Sequence, residues 1–315
     1  MAVAPATPEC ARGIPYNTGN LRESFAMAIR LLVVLLALGL LHVAPQLARW
    51  RHDRWFRRWS AQLADTAGVG RVVLALALPL LLFVLVWWLC GHGLLGDVLQ
   101  TLLALVVLMY SLGPRELDTD LDAIRLAADD ASREKAAQAL GDQGEAIAWN
   151  AFELREALAW AALRRRFGVL LWFFLLGPFG ALLYRLAQSL ARIGSLRLDT
   201  DSRRAAQHIA NALDWPAAQL LTFTLALVGH WEAVIGAWRQ WHGQASPTSW
   251  YSAEPGFLAA AARTDVQVET EAGDGYAEDH SDPLLELTRL SAALSRALLA
   301  WLGAAALIAI GGWLG

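Results

Sequence analysis

The stretch NALDWPAAQLLTFTLALVGHWEAVIGAWRQW, residues 211–241, is the part of the chain that decides its class. Asp214 precedes a tryptophan and a proline, a pattern typical of a helix start. Aspartate at this position accepts hydrogen bonds from free backbone N–H groups, and a proline in the first turn costs the helix no hydrogen bond. No Asp, Glu, Lys or Arg follows until Glu232, yet amide and hydroxyl side chains interrupt the run. The stretch is too apolar for a surface helix and too polar for one facing only lipid. It predicts a helix packed against other helices in or beside a membrane.

The composition agrees with a membrane protein. Of 315 residues, 56% are hydrophobic and 17% are charged, and the mean hydropathy is +0.38. A soluble domain carries about a quarter charged residues. The net charge of −3 argues against a nucleic-acid partner, which would require a basic excess. Cys10 and Cys90 lie in unrelated segments, so we expect neither a disulfide nor a zinc site.

Several apolar runs have the length of a transmembrane helix, which must cross about 30 Å of hydrocarbon at about 1.5 Å per residue. No period-two strand pattern occurs, so the chain is predicted to be all-α. We expect a polytopic helical membrane protein with four to six membrane-embedded helices and helical cytoplasmic segments. The predicted spans are Leu31–Ala48, Val72–Cys90, Leu94–Leu112 and Ala297–Leu314.

Arginine and tryptophan alternate in Arg49–Arg71, after the first span. This pattern is typical of a cytoplasmic membrane interface, so we expect this loop inside and the N-terminus outside. Residues 1–26 are predicted to be disordered or a non-native extension. Residues 27–113 then form transmembrane helices joined by the Arg/Trp-rich loop.

The remaining chain is divided by composition. Residues 114–166 are predicted to be a soluble helical segment, and residues 167–242 a membrane-embedded or interfacial helical core. Residues 243–292 are an acidic loop region, whose middle, Glu269–Pro283, lacks large apolar residues and is expected to be mobile. Residues 293–315 form the last transmembrane helix, in which Gly303 and Gly311 would suit close helix packing.

The run Phe167–Leu183 has two interpretations. Arginines flank it on both sides, and the positive-inside rule would place both flanks in the cytoplasm, which a single crossing does not allow. Either the chain folds back at Gly177-Pro178, or it crosses and packing overrides the rule. The sequence leaves both open.

Candidate chemical motifs are sparse. The cluster Asp118–Asp122 has carboxylates that Mg²⁺ would accept, but an acidic first helical turn is the more common cause of such a cluster. His230 would be functional if its helix spans the bilayer, and an ordinary hydrated histidine if the helix lies at the interface. The sequence has no phosphate-binding loop or nucleophile elbow. Its chemistry alone does not indicate an enzyme.

Three segments resemble the AmpE family of inner-membrane proteins linked to β-lactamase induction. The segment Leu213–Leu220 followed by Ala226–His230 is similar to the family pattern L-D/N-W-x-P-x-R-L…A-L-x-G-H. The arginine- and tryptophan-rich loop and Gly177–Tyr184 agree as well. The resemblance covers nearly the whole chain from Met27.

The wider CobD/CbiB family, to which AmpE is related, contains adenosylcobinamide-phosphate synthases that use ATP in cobalamin assembly. Its tract E-S-L-A-E-N-x-x-D-G falls on Glu156–Arg165, and the acidic and amide positions become Trp160, Ala161 and Arg164. The aspartate of its N-T-L-D-S tract becomes Ala191. Because ATP chemistry needs carboxylates for Mg²⁺, the resemblance implies the family scaffold without the synthase site.

The resemblance therefore implies a non-catalytic regulatory or signalling modulator in the bacterial inner membrane, linked to cell-wall sensing and β-lactamase induction. We expect no cofactor and no metal, and we expect as partners the lipid bilayer and a protein or cell-wall-derived ligand, with no nucleic acid. The alternatives are an adenosylcobinamide-phosphate synthase and a small-solute transporter. Candidate binding residues are Arg197, Arg203, Arg204, Asp214, His230 and Glu156.

Overall fold

A computed structural model describes residues 18–43, 53–91, 93–113, 116–141, 146–194, 196, 198–244, 253–274 and 282–314. These residues form helices and connecting turns, and they include no β-strand. The helices in the first half of the chain are α1 (Thr18–Val43), α2 (Arg54–Gln62), α3 (Gly68–Leu89), α4 (Leu94–Ser111), α5 (Leu117–Leu126), α6 (Asp130–Ala137) and α7 (Ala151–Ala162). A π-helical turn, Leu163–Phe167, leads into α8 (Gly168–Leu176), α9 (Pro178–Arg192), α10 (Thr200–Val228), α11 (Trp231–Gln244), α12 (Phe257–Asp274) and α13 (Pro283–Leu314).

Four helices among the described residues are long and apolar enough to cross a membrane, so the fold is that of a helical membrane protein. Their apolar segments are Ala26–Val43 in α1, Gly68–Leu89 in α3, Leu94–Ser111 in α4 and Pro283–Gly311 in α13. Less than a third of each segment is buried within the protein. The exposed apolar side chains need a hydrocarbon environment, because they would otherwise form a patch far larger than soluble proteins expose.

The molecule has a membrane part and a helical body. In the membrane part, α1 packs with α13, α4 and α8, while α3 packs with α9 and the start of α10 and accepts a hydrogen bond from Trp59 of α2. In the body, α5, α6, α7 and α12 pack against the second half of α10 and the first half of α13. Helices α10 and α13 therefore belong to both parts and join them.

Helices α8 and α9 form a hairpin that folds back at Gly177. Gly177 has φ +67°, a left-handed conformation that glycine adopts readily, and Pro178 begins α9. The two arms are in close contact, because a Cβ on Gly168 would lie 2.2 Å from Tyr184 Oη and one on Gly180 would lie 2.2 Å from the Trp172 carbonyl oxygen. Of the two interpretations of Phe167–Leu183, the structure has the fold-back. The arginines before α8 and those late in α9 consequently lie at the same end of the hairpin.

The hairpin tip contacts the first membrane helix. Arg30 on α1 donates hydrogen bonds to the carbonyl oxygens of Phe174 and Leu175, at 2.5 and 3.3 Å. These carbonyls lie at the end of α8, where the helix has no further N–H partners and carries partial negative charge. A cation here stabilises the end of α8 and fixes the tip to α1.

The helix start predicted at Asp214 is wrong. Asp214 and Pro216 lie inside α10, which begins at Thr200 with Asp199 as its cap. The Ser202 hydroxyl and backbone N–H both donate to the Asp199 carboxylate, and these hydrogen bonds lower the pKa of Asp199 to about 2. Helix α10 tolerates Pro216 because tertiary packing on both sides outweighs one missing hydrogen bond.

Other predicted boundaries also differ. Residues 18–26, predicted to be disordered or a non-native extension, are helical and form the first turns of α1. The acidic region 243–292 contains α12 and the start of α13, because Phe257, Leu258 and Val266 are fully buried against the body. Gly303 and Gly311 have open space where a Cβ would lie, so they are not at a close helix contact in this chain.

Candidate functional site: a buried charge network around Asp214

Asp214 is the centre of a polar network between the hairpin and the body. Its side chain is fully buried in the middle of α10. Tyr184 Oη and Gln188 Nε2, one turn apart on α9, donate to Asp214 Oδ1 at 2.6 and 2.7 Å. Arg192, a further turn along α9, donates to Asp214 Oδ2 at 3.3 Å. Three side chains on one face of α9 therefore converge on a single carboxylate of α10.

Two arginines connect this buried carboxylate to a second one near the surface. Arg164 in the π-helical turn and Arg192 each donate to Glu254 Oε1 at 2.7 Å. Arg164 Nε also lies 3.7 Å from Asp214 Oδ2. The half-exposed Glu254 thus covers a cluster in which two cations lie between two carboxylates. The opposite charges compensate each other, as burial requires.

The environments of the two carboxylates move their pKa values in different directions. Burial raises the pKa of the Asp214 carboxyl, against the opposing effect of the two arginines and of Tyr184. Partial burial acts to raise the pKa of Glu254 too, but Arg164 and Arg192 outweigh it and the net shift is downward. Glu254 is therefore held as an anion near neutral pH, and its loop remains attached to the arginines.

The π-helical turn directs its three consecutive arginines towards different carboxylates. Beside Arg164, Arg165 pairs with Asp120 at 2.8 Å and Arg166 pairs with Asp118 at 2.8 Å. Such turns are rare and often occur at functional sites. The acidic cluster Asp118–Asp122 forms the first turn of α5, and its carboxylates are engaged by arginines. This supports the helix-start interpretation of the cluster over the metal interpretation.

Glu156, one of the predicted site residues, connects to this network. Its carboxylate accepts hydrogen bonds from Arg263 at 3.1 Å and from Trp160 Nε1 at 3.4 Å. The Arg164 guanidinium lies 4.5 Å above the Trp160 ring, within the range of a cation–π interaction. Glu156 and Asp214 are thus linked through Trp160 and Arg164, along the face where the resemblance placed the altered synthase tract.

The other predicted residues lie apart from the network. His230 Nδ1 is 3.1 Å from Oδ1 of the buried Asp265, which also accepts the His230 backbone N–H. A Cβ on Gly229 would collide with the same oxygen, so a larger residue at this position would displace the Asp265 carboxylate from His230. Arg203 contacts the Leu196 carbonyl and Arg204 is exposed. Arg197 lies outside the described residues.

Sequence reasoning missed most members of the network. Tyr184, Gln188 and Arg192 recur at helical spacing of four, which is a usable signal for one shared face. In the sequence, Arg164 is notable only because it replaces an aspartate of the CobD/CbiB pattern. Glu254 gives no local signal, because its contact with Arg164 joins segments 90 positions apart in the chain.

The residues present do not fit a divalent cation. In the described part of the chain, no three His, Cys, Asp or Glu side chains come together. Asp214 and Glu254 share their oxygens with two guanidinium groups, and a cation brought there would be repelled by them.

Comparison with known proteins gives one coarse likeness. No protein-family model matches the chain, and no solved structure matches it. The chain is similar to the cobalamin biosynthesis protein CobD of Chromobacterium violaceum, with 29% identity over 213 residues. The match covers 64% of this chain and 65% of that protein, just under two thirds of its length. This likeness supports the CobD/CbiB resemblance at most, and it does not extend to the finer AmpE-like assignment.

Proposed function

We propose that this chain is a non-catalytic inner-membrane modulator of the AmpE type, acting in cell-wall sensing and β-lactamase induction. One observation supports the proposal that the protein is not a catalyst. Arg164, at the position of a synthase aspartate, is bound between Asp214 and Glu254. A guanidinium group therefore occupies the position at which the synthase would need a carboxylate for Mg²⁺. Here that group stabilises the fold by compensating two negative charges. The biological role rests on the AmpE-like segments around residues 213–230.

The mechanism that fits this geometry is structural coupling. The hairpin touches α1 at its tip through Arg30 and α10 at its base through Asp214. Helix α10 continues into the body, where Gln219 accepts from Trp238 and Thr224 accepts from Trp301. A displacement at the tip would be transmitted through packed helices to the body, which would present a changed surface to a partner protein. The body lies on the cytoplasmic side in this proposal.

The test is induction of β-lactamase in the native bacterium. We expect deletion of the gene to change induction by a sub-inhibitory β-lactam, and the wild-type chain to restore it. Asp214→Asn should fail to restore it at equal membrane abundance, because α9 and α10 lose their shared anion. Asp201→Asn, an exposed change in the first turn of α10, is the matched control and should restore it. An unchanged induction response in the deletion strain would contradict the proposal.

The likeness to CobD favours a second candidate, an ATP-dependent synthase of the adenosylcobinamide-phosphate type. It supports this candidate more directly than it supports the AmpE-like role. The decisive assay supplies purified protein in lipid with ATP, Mg²⁺ and cobinamide precursors. Turnover that disappears in Glu156→Ala but persists in the exposed control Glu134→Ala would replace the first proposal by the second. We expect no turnover from any of the three proteins.

A further inference from the structure

A long apolar cleft lies between two of the membrane-spanning helices. Its volume is about 930 Å³, near the upper end of the roughly 300–1,000 Å³ of ligand pockets. On α3 it extends from Leu78 to Val86, which is about 12 Å at 1.5 Å per residue and close to the depth of one leaflet. Its walls are formed mainly by Leu78, Pro79, Leu82, Val86, Leu103 and Val106.

The position of the cleft determines what kind of molecule can fill it. Leu82 and Val106 are 63% and 62% exposed, although both belong to spanning helices. In a bilayer these side chains face hydrocarbon, and a water-filled cleft with such walls would be unfavourable. The occupant must therefore be a flexible apolar chain that enters from the membrane, and an acyl chain of a lipid has this chemistry.

One end of the cleft is closed by polar groups that already satisfy each other. Trp55 Nε1 donates to Tyr110 Oη at 3.0 Å, and Tyr110 Oη lies 3.5 Å from Asp53 Oδ1. Arg185 holds both Asp53 oxygens at 2.8 and 2.9 Å. Because these groups are hydrogen-bonded to each other, a polar ligand inside the cleft would gain few hydrogen bonds from them. The headgroup of a bound lipid must lie outside, at the rim formed by α2.

That rim carries two arginines to which the described residues offer no partner. Arg54 and Arg58 are exposed, lie one turn apart on α2, and are each next in sequence to a tryptophan that lines the cleft, Trp55 and Trp59. Within the described residues neither side chain takes part in a hydrogen bond or an ion pair. Helix α2 is fixed beside the start of α3, since Trp59 Nε1 donates to the Ala75 carbonyl. Two free cations at the end of an apolar cleft complement an anionic lipid headgroup.

We propose that the cleft between α3 and α4 is a binding site for an anionic phospholipid. One acyl chain lies between the two helices, and the phosphate contacts Arg54 and Arg58. The site is independent of the Asp214 network and goes beyond the proposed signalling role. It would fix α2 at the interface and fill a gap that the protein leaves in its own membrane part.

The test is lipid retention measured by native mass spectrometry. Detergent-purified protein is mixed with phosphatidylglycerol or phosphatidylcholine carrying the same acyl chains. We expect phosphatidylglycerol to be retained about thirtyfold more, because each of the two basic residues contributes about 1 kcal/mol near an anionic surface. The variant R54Q/R58Q should lose that preference, whereas R239Q/R296Q, which removes two other exposed arginines, should keep it.

A second pair of variants tests the cleft itself. L82W fills the cleft, whereas L81W changes a neighbouring leucine of equal exposure, 63%, that does not line it. We expect L82W to release phosphatidylglycerol and L81W to retain it. Equal retention by L82W and L81W would mean surface attraction alone and would overturn the proposal. Equal retention of the two lipids by the wild type, or displacement of the lipid by inorganic phosphate at the same concentration, would overturn it as well.

Discussion

The hydroxyl of Tyr184 donates a 2.6 Å hydrogen bond to Oδ1 of the buried Asp214. This contact joins the returning arm of the α8–α9 hairpin to the helix that runs from the membrane part into the body. Gly168 on the other arm has no room for a Cβ beside Tyr184. Close packing of α8 against α9 therefore positions the hydroxyl, and the hydroxyl positions the carboxylate of α10.

Replacement of Asp214 by asparagine tests the energetic weight of the network. The variant keeps the side-chain volume but removes the buried anion that Arg164 and Arg192 both approach. Breaking a buried ion pair by removing one partner costs about 3–5 kcal/mol. We expect the free energy of unfolding to fall by a similar amount when unfolding in detergent is monitored by tryptophan fluorescence. Asp201→Asn should leave it nearly unchanged, and an equal loss in both variants would contradict a special role for Asp214.

Enlarging Gly168 tests the packing of the hairpin. In Gly168→Ala the new methyl group would lie 2.2 Å from Tyr184 Oη, so the arms must separate or Tyr184 must move. Overpacking of this kind costs about 1–3 kcal/mol. Thermal denaturation in detergent should show a clearly lower midpoint than wild type.

Gly303→Ala is the control for that substitution. Gly303 lies in α13 with open space around its Cβ position, and alanine is favoured over glycine in a helix by about 1 kcal/mol. The midpoint of thermal denaturation of Gly303→Ala should be equal to or above that of wild type. If both alanine variants behaved alike, the hairpin contact would not limit stability.

The sidedness of the membrane part can be measured by cysteine labelling of intact cells. The fold-back at Gly177 brings the arginines that flank the hairpin to the same end of it, and the positive-inside rule predicts that this end is cytoplasmic. With Cys10 and Cys90 replaced by serine, we expect Arg204→Cys to be protected from a membrane-impermeant reagent. Leu94→Cys, which is 90% exposed at the opposite end of α3 and α4, should react. The reverse pattern would invert the topology.

Acid should detach the loop that carries Glu254. The pKa of Glu254 is lower in the folded protein than in the unfolded chain, where it is about 4.3. Its contribution to stability is therefore present above about pH 4.3 and is lost as pH falls through the lower folded value. Because the side chain is half exposed, we expect at most about 1 kcal/mol.

Comparison of wild type with Glu254→Gln measures this contribution. The difference in their unfolding midpoints should be constant from pH 7 to pH 5 and should shrink below about pH 4. Glu134→Gln, an exposed change on α6, should show no such dependence. A difference that grew on acidification would contradict the assigned pKa direction.

The sequence by itself determined the membrane class, the all-helical fold and the approximate position of the spans. Hydrophobic length and helical periodicity are local properties, so α3 and α4 could be predicted to within a few residues. The polar residues within 211–241 were also correctly interpreted as facing other helices, because Gln219 and Thr224 accept hydrogen bonds from tryptophans on α11 and α13.

Only the tertiary structure decided where these helices begin, where the chain folds back and which charged groups pair. Asp214 has the sequence pattern of a cap, yet it lies inside a longer helix because donors from α9 and the π-helical turn surround it. The fold-back at Gly177 depends on contact between two arms, and the contact of Glu254 with Arg164 spans 90 positions of the chain. Such relationships depend on which distant groups meet in a buried place, where each charge must find a partner. No local pattern encodes that pairing.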